Sequence, residues 1–88
     1  MNEALRLSLS NKFRNTQMGL IRIKKNLNIT HLSNDELIIH LKKIILSTSL
    51  QNIETKGKNH YLKCLEYNAI LTINSHTFTV ITAKEIKN

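Results

Sequence analysis

The sequence predicts an α+β fold in which two to three N-terminal helices pack on one face of a four-stranded antiparallel β-meander. Three observations predict it. Apolar residues recur at helical spacing in the first half of the chain, they alternate with polar residues in the second half, and turn-forming pairs divide that second half into four segments. The 88 residues suffice for a single domain over 1–88, with a helical half over 3–48 and a β-meander over 53–86.

Apolar spacing and a capping residue define the first two predicted helices. Leu5, Leu9 and Phe13 recur at every fourth residue and therefore share one face of the first helix. Thr16 is a favourable N-cap for the second helix, which we expect to end near Asn28. The apolar stripe of this second helix comprises Leu20, Ile23 and Leu27.

The third helix has the clearest start signal in the chain. Ser33 and Glu36 have the spacing of a capping box, in which each side chain accepts a hydrogen bond from the other residue's backbone N–H. The run of Ser and Thr at 47–49 ends this helix. Its predicted core stripe comprises Leu37, Leu41, Ile44 and Ile45.

Four strands and three two-residue turns account for the second half. The predicted strands cover 53–56, 59–66, 69–74 and 77–85, and the turns are Gly57-Lys58, Tyr67-Asn68 and Ser75-His76. If every turn has two residues, apolar partners fall on one face, which we expect to lie under the helices. These pairs are Ile53 with Leu62, Leu62 with Ile73, Cys64 with Leu71, Leu71 with Val80, and Ile73 with Phe78.

The other face of the predicted sheet is polar and open. Its expected pairs are Lys56 with Asn59, Glu54 with Tyr61, Lys63 with Thr72, Tyr61 with Asn74, Asn74 with Thr77, and Thr72 with Thr79. The residues Leu65, Ile70 and Ile81 form an apolar end of this face. Cations attract phosphate, amides and hydroxyls donate to it, and a tyrosine ring can stack on a base. The alternative is an ordinary solvated sheet face, on which Thr and Lys are common.

Composition limits the class of binding partner and argues against a membrane-spanning or secreted protein. Thirteen Lys and Arg against six Asp and Glu give a formal net charge of +7, which predicts a polyanionic partner. Nucleic acid, an anionic membrane surface and an acidic protein are the three candidates. No apolar run is long enough for a transmembrane helix, and we expect no membrane partner because no basic amphipathic helix with exposed aromatics is present. The first residues lack the apolar run of a signal peptide, which predicts a cytoplasmic protein.

The residue inventory predicts a protein without a cofactor or a metal. One Cys excludes a disulfide framework, and two Gly are too few for a Gly-rich phosphate loop. The four His show no zinc-ligand spacing. We expect Cys64 and His60 to be structural, and His31 and His40 to be surface or structural residues. His76, at a predicted hairpin tip, is the best candidate for general acid–base chemistry.

Four segments of the chain resemble a small bacterial family of stand-alone domains of unknown function. They are 22–27 (RIKKNL), 57–61 (GKNHY), 72–74 (TIN) and 79–83 (TVITA), in a likeness that covers 16–86. The order of elements also resembles the barnase–EndoU–colicin–RelE superfamily, which contains metal-independent ribonucleases, many of them toxins. That resemblance implies a basic group on an N-terminal helix, matched by Arg22, and a hydroxyl on the last strand, matched by Thr79 or Thr82. In the predicted register Thr79 faces the open side and Thr82 the helices.

The functional hypothesis is a toxin-like, metal-independent ribonuclease that acts by 2′-OH transesterification. A base removes the 2′-OH proton, cations stabilise the phosphorane, and an acid protonates the leaving oxygen. The candidate catalytic residues are His76, Tyr61, Arg22 and Lys56. The candidate nucleic-acid-binding residues are Lys24, Lys25, Lys58, Asn59, Lys63, Thr72, Asn74 and Thr79. The alternatives are a non-catalytic nucleic-acid-binding module and a basic inhibitor of an acidic protein, such as a cognate antitoxin; RNA is favoured over DNA.

Overall fold

Three helices precede a four-stranded sheet in the structure, a computed structural model that describes residues 2–86. The helices are α1 (Asn2–Lys12), α2 (Gln17–Asn26) and α3 (Asn34–Ser47), and a short 3-10 helix follows at Leu50–Asn52. The strands are β1 (Ile53–Lys56), β2 (Asn59–Cys64), β3 (Ala69–Asn74) and β4 (Val80–Glu85). Within residues 2–86, none of the helices has the length and apolar character needed to cross a membrane.

The predicted helix starts are confirmed by their side-chain caps. The Thr16 hydroxyl accepts a hydrogen bond from the Gly19 N–H at 2.9 Å, ahead of α2. At the start of α3, the Ser33 hydroxyl accepts from the Glu36 N–H at 3.1 Å, and the Glu36 carboxylate accepts from the Ser33 N–H at 2.8 Å. These caps satisfy N–H groups that have no partner inside the helix, which fixes where each helix begins.

The predicted fold class is confirmed, because the strands form one antiparallel sheet in the order β1-β2-β3-β4 with its apolar face against the helices. The predicted stripe of α3 and the α2 residues Leu20 and Ile23 are buried together with alternate residues of the strands. Leu27, expected in the α2 stripe, is the C-cap of that helix and is partly buried. The core comprises Leu9, Leu20, Ile23, Leu37, Leu41, Ile44, Ile45, Ile53, Leu62, Cys64, Ala69, Leu71, Ile73, Val80 and Ala83.

The first hairpin has the predicted two-residue loop. Lys56 pairs with Asn59 and Ile53 with Leu62. Gly57 provides the left-handed backbone that the turn requires, with φ at +59°.

The second hairpin differs from the prediction by two residues. The loop spans residues 65–68 instead of Tyr67-Asn68 alone, so β2 ends at Cys64 and not at 66. Leu62 therefore pairs with Leu71, and Tyr61 pairs with Thr72, where the prediction had Leu62 with Ile73 and Tyr61 with Asn74. The expected pairs of Cys64 with Leu71 and Lys63 with Thr72 are wrong for the same reason, since Cys64 pairs with Ala69 and Lys63 with Ile70. A shift of two keeps every side chain on its predicted face.

The third connection is longer than the predicted Ser75-His76 turn. It spans residues 75–79, and β4 begins at Val80 instead of 77. The Asn74 side-chain oxygen accepts from the N–H groups of His76 at 2.8 Å and Thr77 at 2.9 Å, which holds the loop in an Asx-type turn. Ile73 therefore pairs with Val80, and the predicted partner Phe78 lies outside the strand with φ at +61°.

A β-bulge reverses the orientation predicted for the last strand. The register of β3 against β4 shifts between Thr72 and Ile73, so Thr72 pairs with Thr82 and Leu71 with Ala83. The expected pairs of Leu71 with Val80 and Thr72 with Thr79 are therefore wrong. The extra residue exposes both Ile81 and Thr82. Thr82 thus lies on the open side of the sheet, and its predicted position facing the helices is wrong.

Candidate nucleic-acid interface

The solvent side of the sheet, here called the open face, carries three rows of side chains across the strands. The turn-end row comprises Lys56, Asn59 and Asn74. The middle row comprises Glu54, Tyr61, Thr72 and Thr82. The far row comprises Lys63, Ile70 and Lys84. Leu65, expected at the apolar end of this face, lies in the 65–68 loop with 66% of its surface exposed.

The turn-end row continues beyond β3 through backbone hydrogen bonds. The Asn74 N–H donates to the Thr79 carbonyl at 2.9 Å. Arg14, in the connection between α1 and α2, forms a parallel bridge with Thr79. The Arg14 N–H donates to the Phe78 carbonyl, and the Arg14 carbonyl accepts from the Val80 N–H, both at 2.9 Å. The row therefore runs from Lys56 to Arg14, four inter-strand steps or about 19 Å.

Tyr61 is the aromatic residue at the centre of the open face. The side chain lies in the middle row and is 37% exposed, so it is accessible to a ligand at the surface of the sheet. Its hydroxyl accepts a hydrogen bond from the Asn59 amide at 3.5 Å. The amide oxygen of Asn59 is buried and has no hydrogen-bond partner within the part of the chain that the structure describes.

The open face is basic even though one of its lysines faces a carboxylate. Lys56 Nζ lies 3.8 Å from the Glu54 carboxylate, and both side chains are exposed, so this ion pair is weak. Glu54 is the one acidic residue in the three rows. Lys63 and Lys84 in the far row form no ion pair with any residue among 2–86.

The first and third turns lie side by side at one end of the sheet. The Ser75 N–H donates to the Lys58 carbonyl at 2.8 Å, which brings the Gly57-Lys58 turn against the 75–79 loop. His76 is exposed within that loop. The structure thus brings the loop that carries His76 and the turn that carries Lys58 to the same end of the sheet as the turn-end row.

Arg22, Lys24 and Lys25 lie on α2, in the helical layer formed by α1, α2 and α3. The buried stripe of α2 contains Leu20 and Ile23, and α2 packs against β4. Arg22 and Lys25 are exposed on the outer side of the helix, and Lys24 is half-buried on its flank. The structure does not bring these three residues to the rows of the open face.

His60, His40 and Cys64 have the burial or side-chain partners of structural residues. His60 is buried on the helix side of the sheet, its Nδ1 lies 2.6 Å from the Thr55 hydroxyl, and burial lowers the pKa of its ring. His40 stacks edge-on against Tyr67 with ring centroids 5.4 Å apart; burial, and to a lesser extent the Lys43 charge, lowers its pKa. Cys64 is fully buried.

No metal centre is formed by the residues that the structure describes. Across 2–86, no three His, Cys, Asp or Glu side chains are grouped in a way that could hold a metal ion. His31 is exposed in the connection before α3.

Sequence reasoning missed two basic residues of this face. Lys84 was overlooked because it reaches the far row only through the β4 register, which the bulge resets. Arg14 lies in a connection without regular structure, and its bridge to Thr79 joins residues 65 positions apart (79 − 14). No local spacing indicates such a contact, whereas a corrected β4 register would have found Lys84.

The fold and this face define a class of small α+β protein, with a helical layer on one side of a meander and a basic, polar sheet face on the other. The chain belongs to a family described as a protein of unknown function (DUF3781), whose model matches residues 7–84. Comparison with the curated proteins and with the solved structures found no match.

Proposed function

We propose that this protein binds single-stranded RNA on the open face. The observation that supports the proposal is the arrangement of the three rows, in which Tyr61 lies centrally and Lys56, Lys63 and Lys84 lie around it. A phosphate backbone bound by the cations places its bases against the sheet, where an aromatic ring can stack on one of them. The net charge of +7 supports a polyanionic partner independently of the fold.

Metal-independent cleavage of that RNA is the catalytic part of the proposal. His76 is an exposed imidazole beside the Lys58 turn, and the Thr77 and Thr79 hydroxyls lie in the same loop. The Tyr61 hydroxyl lies in the middle row, within hydrogen-bond distance of Asn59 in the turn-end row. In this scheme His76 acts as the base and removes the 2′-OH proton, and the 2′ oxygen attacks the phosphorus. The 5′ oxygen then leaves with a proton from an acid such as Tyr61. Lys58 and Lys56 stabilise the phosphorane charge. The resemblance in element order to the barnase–EndoU–colicin–RelE superfamily supports the same chemistry.

The α2 cations fit this scheme less well than the sequence predicts. Arg22 lies on the outer side of the helical layer, so a catalytic role for it requires RNA to extend around the molecule. Lys24 and Lys25 share that layer, so we expect them to act through long-range attraction and to make no direct phosphate contact.

Binding is tested with a fluorescently labelled oligouridine and a salt series. With about four phosphate contacts, the logarithm of affinity should fall against the logarithm of salt concentration with a slope of about −3. Tyr61→Ala should weaken binding by about 1–3 kcal/mol because the stacking ring is lost, and Tyr61→Phe, which keeps the ring, should retain most of it. Affinity that does not change with salt, or that is the same for Tyr61→Ala as for the wild type, would contradict the proposal.

Cleavage is tested with the same RNA in EDTA. His76→Ala should lower the cleavage rate by about 10²–10⁴-fold while binding persists, because one general acid–base group is lost. The matched control is His31→Ala, which removes an exposed imidazole from the helical side of the chain. If the wild-type protein binds RNA and cleaves none, alone or on ribosomes, the protein is a non-catalytic RNA-binding module.

A second candidate function, binding of an acidic protein, is favoured by a groove on α3. The groove has a volume of about 260 Å³ and is lined by Leu32, Glu36, Ile39, His40 and Lys43. Ile39 is 57% exposed beside the Lys43 charge, a combination suited to an acidic segment with an apolar side chain. Titration with poly-L-glutamate tests it: amide shifts confined to α3 support this candidate, and shifts confined to the sheet contradict it.

A further inference from the structure

We infer that Arg14 and Thr79 form a phosphate subsite at the end of the turn-end row, and that single-stranded RNA crosses the strands along this row. The inference rests on the proposed RNA-binding function and adds to it a subsite and a direction for the bound strand. Arg14 lies in the connection between α1 and α2, and Thr79 lies in the connection between β3 and β4. Backbone hydrogen bonds hold the two connections together at the sheet edge.

The position of Arg14 is fixed by backbone hydrogen bonds on both sides. Its N–H and C=O bond to the Phe78 carbonyl and the Val80 N–H, each at 2.9 Å, so Arg14 occupies a strand position next to Thr79. Bridge partners present their side chains to the same face of a sheet, and Thr79 is opposite in orientation to its neighbour Val80, which is buried against the helices. Arg14 therefore extends the open face.

The donor groups at this position are not used by the fold. Arg14 is exposed and forms no ion pair among residues 2–86. The Thr77 hydroxyl donates to the Thr79 hydroxyl at 2.9 Å and accepts from the Thr79 N–H at 3.3 Å. Only one of these two hydroxyls can donate to the other, so the pair keeps one hydroxyl hydrogen for a ligand. A guanidinium beside an oriented hydroxyl is a donor set suited to phosphate oxygens.

The loop that carries Thr79 is held in an unfavourable backbone conformation. Phe78 has φ at +61°, a region that bulky residues rarely adopt. Its half-buried ring packs against the core, and Lys12 Nζ lies 5.8 Å from the ring centroid. The Asn74 side chain secures the other end of the loop. Strain of this kind persists where surrounding contacts enforce it, and here it places Thr79 beside Arg14.

The turn-end row defines the path of the bound RNA across the sheet. Lys56 and Arg14 are separated by about 19 Å across the sheet, with Asn59, Asn74 and Thr79 between them. A backbone that follows these residues places a base over the adjacent middle row, where Tyr61 lies. A duplex cannot present an unstacked base to Tyr61, so the subsite favours single strands.

Arg14→Ala and Lys42→Ala make a matched pair for the test. Each removes one exposed cation, the first from the turn-end row and the second from α3 in the helical layer. Labelled oligouridine is titrated against both variants and the wild type over a salt series. Arg14→Ala should lower affinity about tenfold and reduce the salt slope by about 0.7, the contribution of one phosphate contact on a single strand. Lys42→Ala should keep the wild-type slope.

Further measurements separate the outcomes. Arg14→Lys should recover the salt slope and only part of the affinity, because the charge returns without the planar donor pair. Equal thermal unfolding of Arg14→Ala and wild type shows that folding is unaffected. A hairpin duplex of matched length should bind Arg14→Ala and wild type alike. If wild type binds oligouridine and Arg14→Ala leaves its slope unchanged, the subsite is refuted and the proposed function stands. If wild type does not bind, both are refuted.

Discussion

The first hairpin depends on the backbone conformation of Gly57. Its φ is +59°, and an added Cβ would have no atom within 4 Å. Gly57→Ala therefore costs only conformational energy, which is about 1–2 kcal/mol for a non-glycine residue in the left-handed region. Urea unfolding should show that loss in the free energy of unfolding, and Gly57→Asn should lose less because Asn tolerates this region. An Ala variant as stable as the wild type would contradict the required turn geometry.

His60 makes stability depend on pH in a direction set by its burial. Burial lowers the pKa of the folded-state ring, whereas the unfolded chain keeps the ordinary value of about 6.5. Below about pH 6.5 the unfolded state binds the proton more readily, so the free energy of unfolding falls as pH decreases through the folded-state pKa. Above about pH 6.5 the His60 contribution is complete. Urea unfolding between pH 8 and pH 5 should therefore show decreasing stability.

Variants assign that pH dependence to particular rings. His60→Gln removes the titrating imidazole, so the free energy of unfolding should depend less on pH. His40 has a lowered pKa with the same sign, so His40→Gln added to His60→Gln should flatten the profile further. An unchanged slope in His60→Gln would show that the His60 ring is not the source.

At the scale of single residues, the sequence placed Lys56, Asn59 and Asn74 on the correct face, because alternation determines the face of a residue within a strand. The pair of Lys56 with Asn59 was predicted correctly, whereas Asn74 was expected opposite Tyr61 and pairs with Asn59. Alternation cannot place a residue outside the strands, so Arg14 was missed. It also fails beyond a bulge, and the predicted side of Thr82 was therefore wrong.

At the scale of elements, α3 combines a core stripe with exposed apolar residues. Leu41 is fully buried and Ile39 is 57% exposed on the same helix. Leu41→Ala should lower the free energy of unfolding by about 2–5 kcal/mol, because it removes packed atoms and leaves a cavity. Ile39→Ala should change it by less than about 0.5 kcal/mol. Urea unfolding of both variants tests the comparison, and similar losses would contradict the assigned faces of α3.

The hairpins show which features of an element the sequence determines. The faces of β2 and β3 were predicted correctly because a two-residue slip preserves alternation, and Leu62 and Leu71 remain buried. The length of the loop between β2 and β3 could not be predicted from the local sequence. Asn68 adopts the left-handed region in either turn, and the observed four-residue loop closes through its N–H bond to the Leu65 carbonyl at 3.2 Å. The helix starts were predictable because their caps are local hydrogen bonds.

At the scale of the whole molecule, the basic residues divide between two layers. Lys63 and Lys84 lie on the open face, whereas Arg22 and Lys25 lie on the outer side of α2. The shortest dimension of the molecule is 21 Å. That dimension exceeds the Debye length of about 8 Å at physiological salt, so charges in one layer are largely screened from a ligand bound at the other.

Charge reversal in each layer tests which one binds RNA. Each Lys- or Arg-to-Glu change subtracts two units, so Lys63→Glu with Lys84→Glu and Arg22→Glu with Lys25→Glu both take the formal charge from +7 to +3. At physiological salt the open-face pair should weaken oligouridine binding about 100-fold, because two charge-assisted contacts are lost, and should lower the salt slope by about 1.4. The α2 pair should keep the slope and most of the affinity, since only screened long-range attraction changes. Equal losses in the two pairs would mean that net charge alone drives binding, and a larger loss in the α2 pair would move the interface to the helical layer.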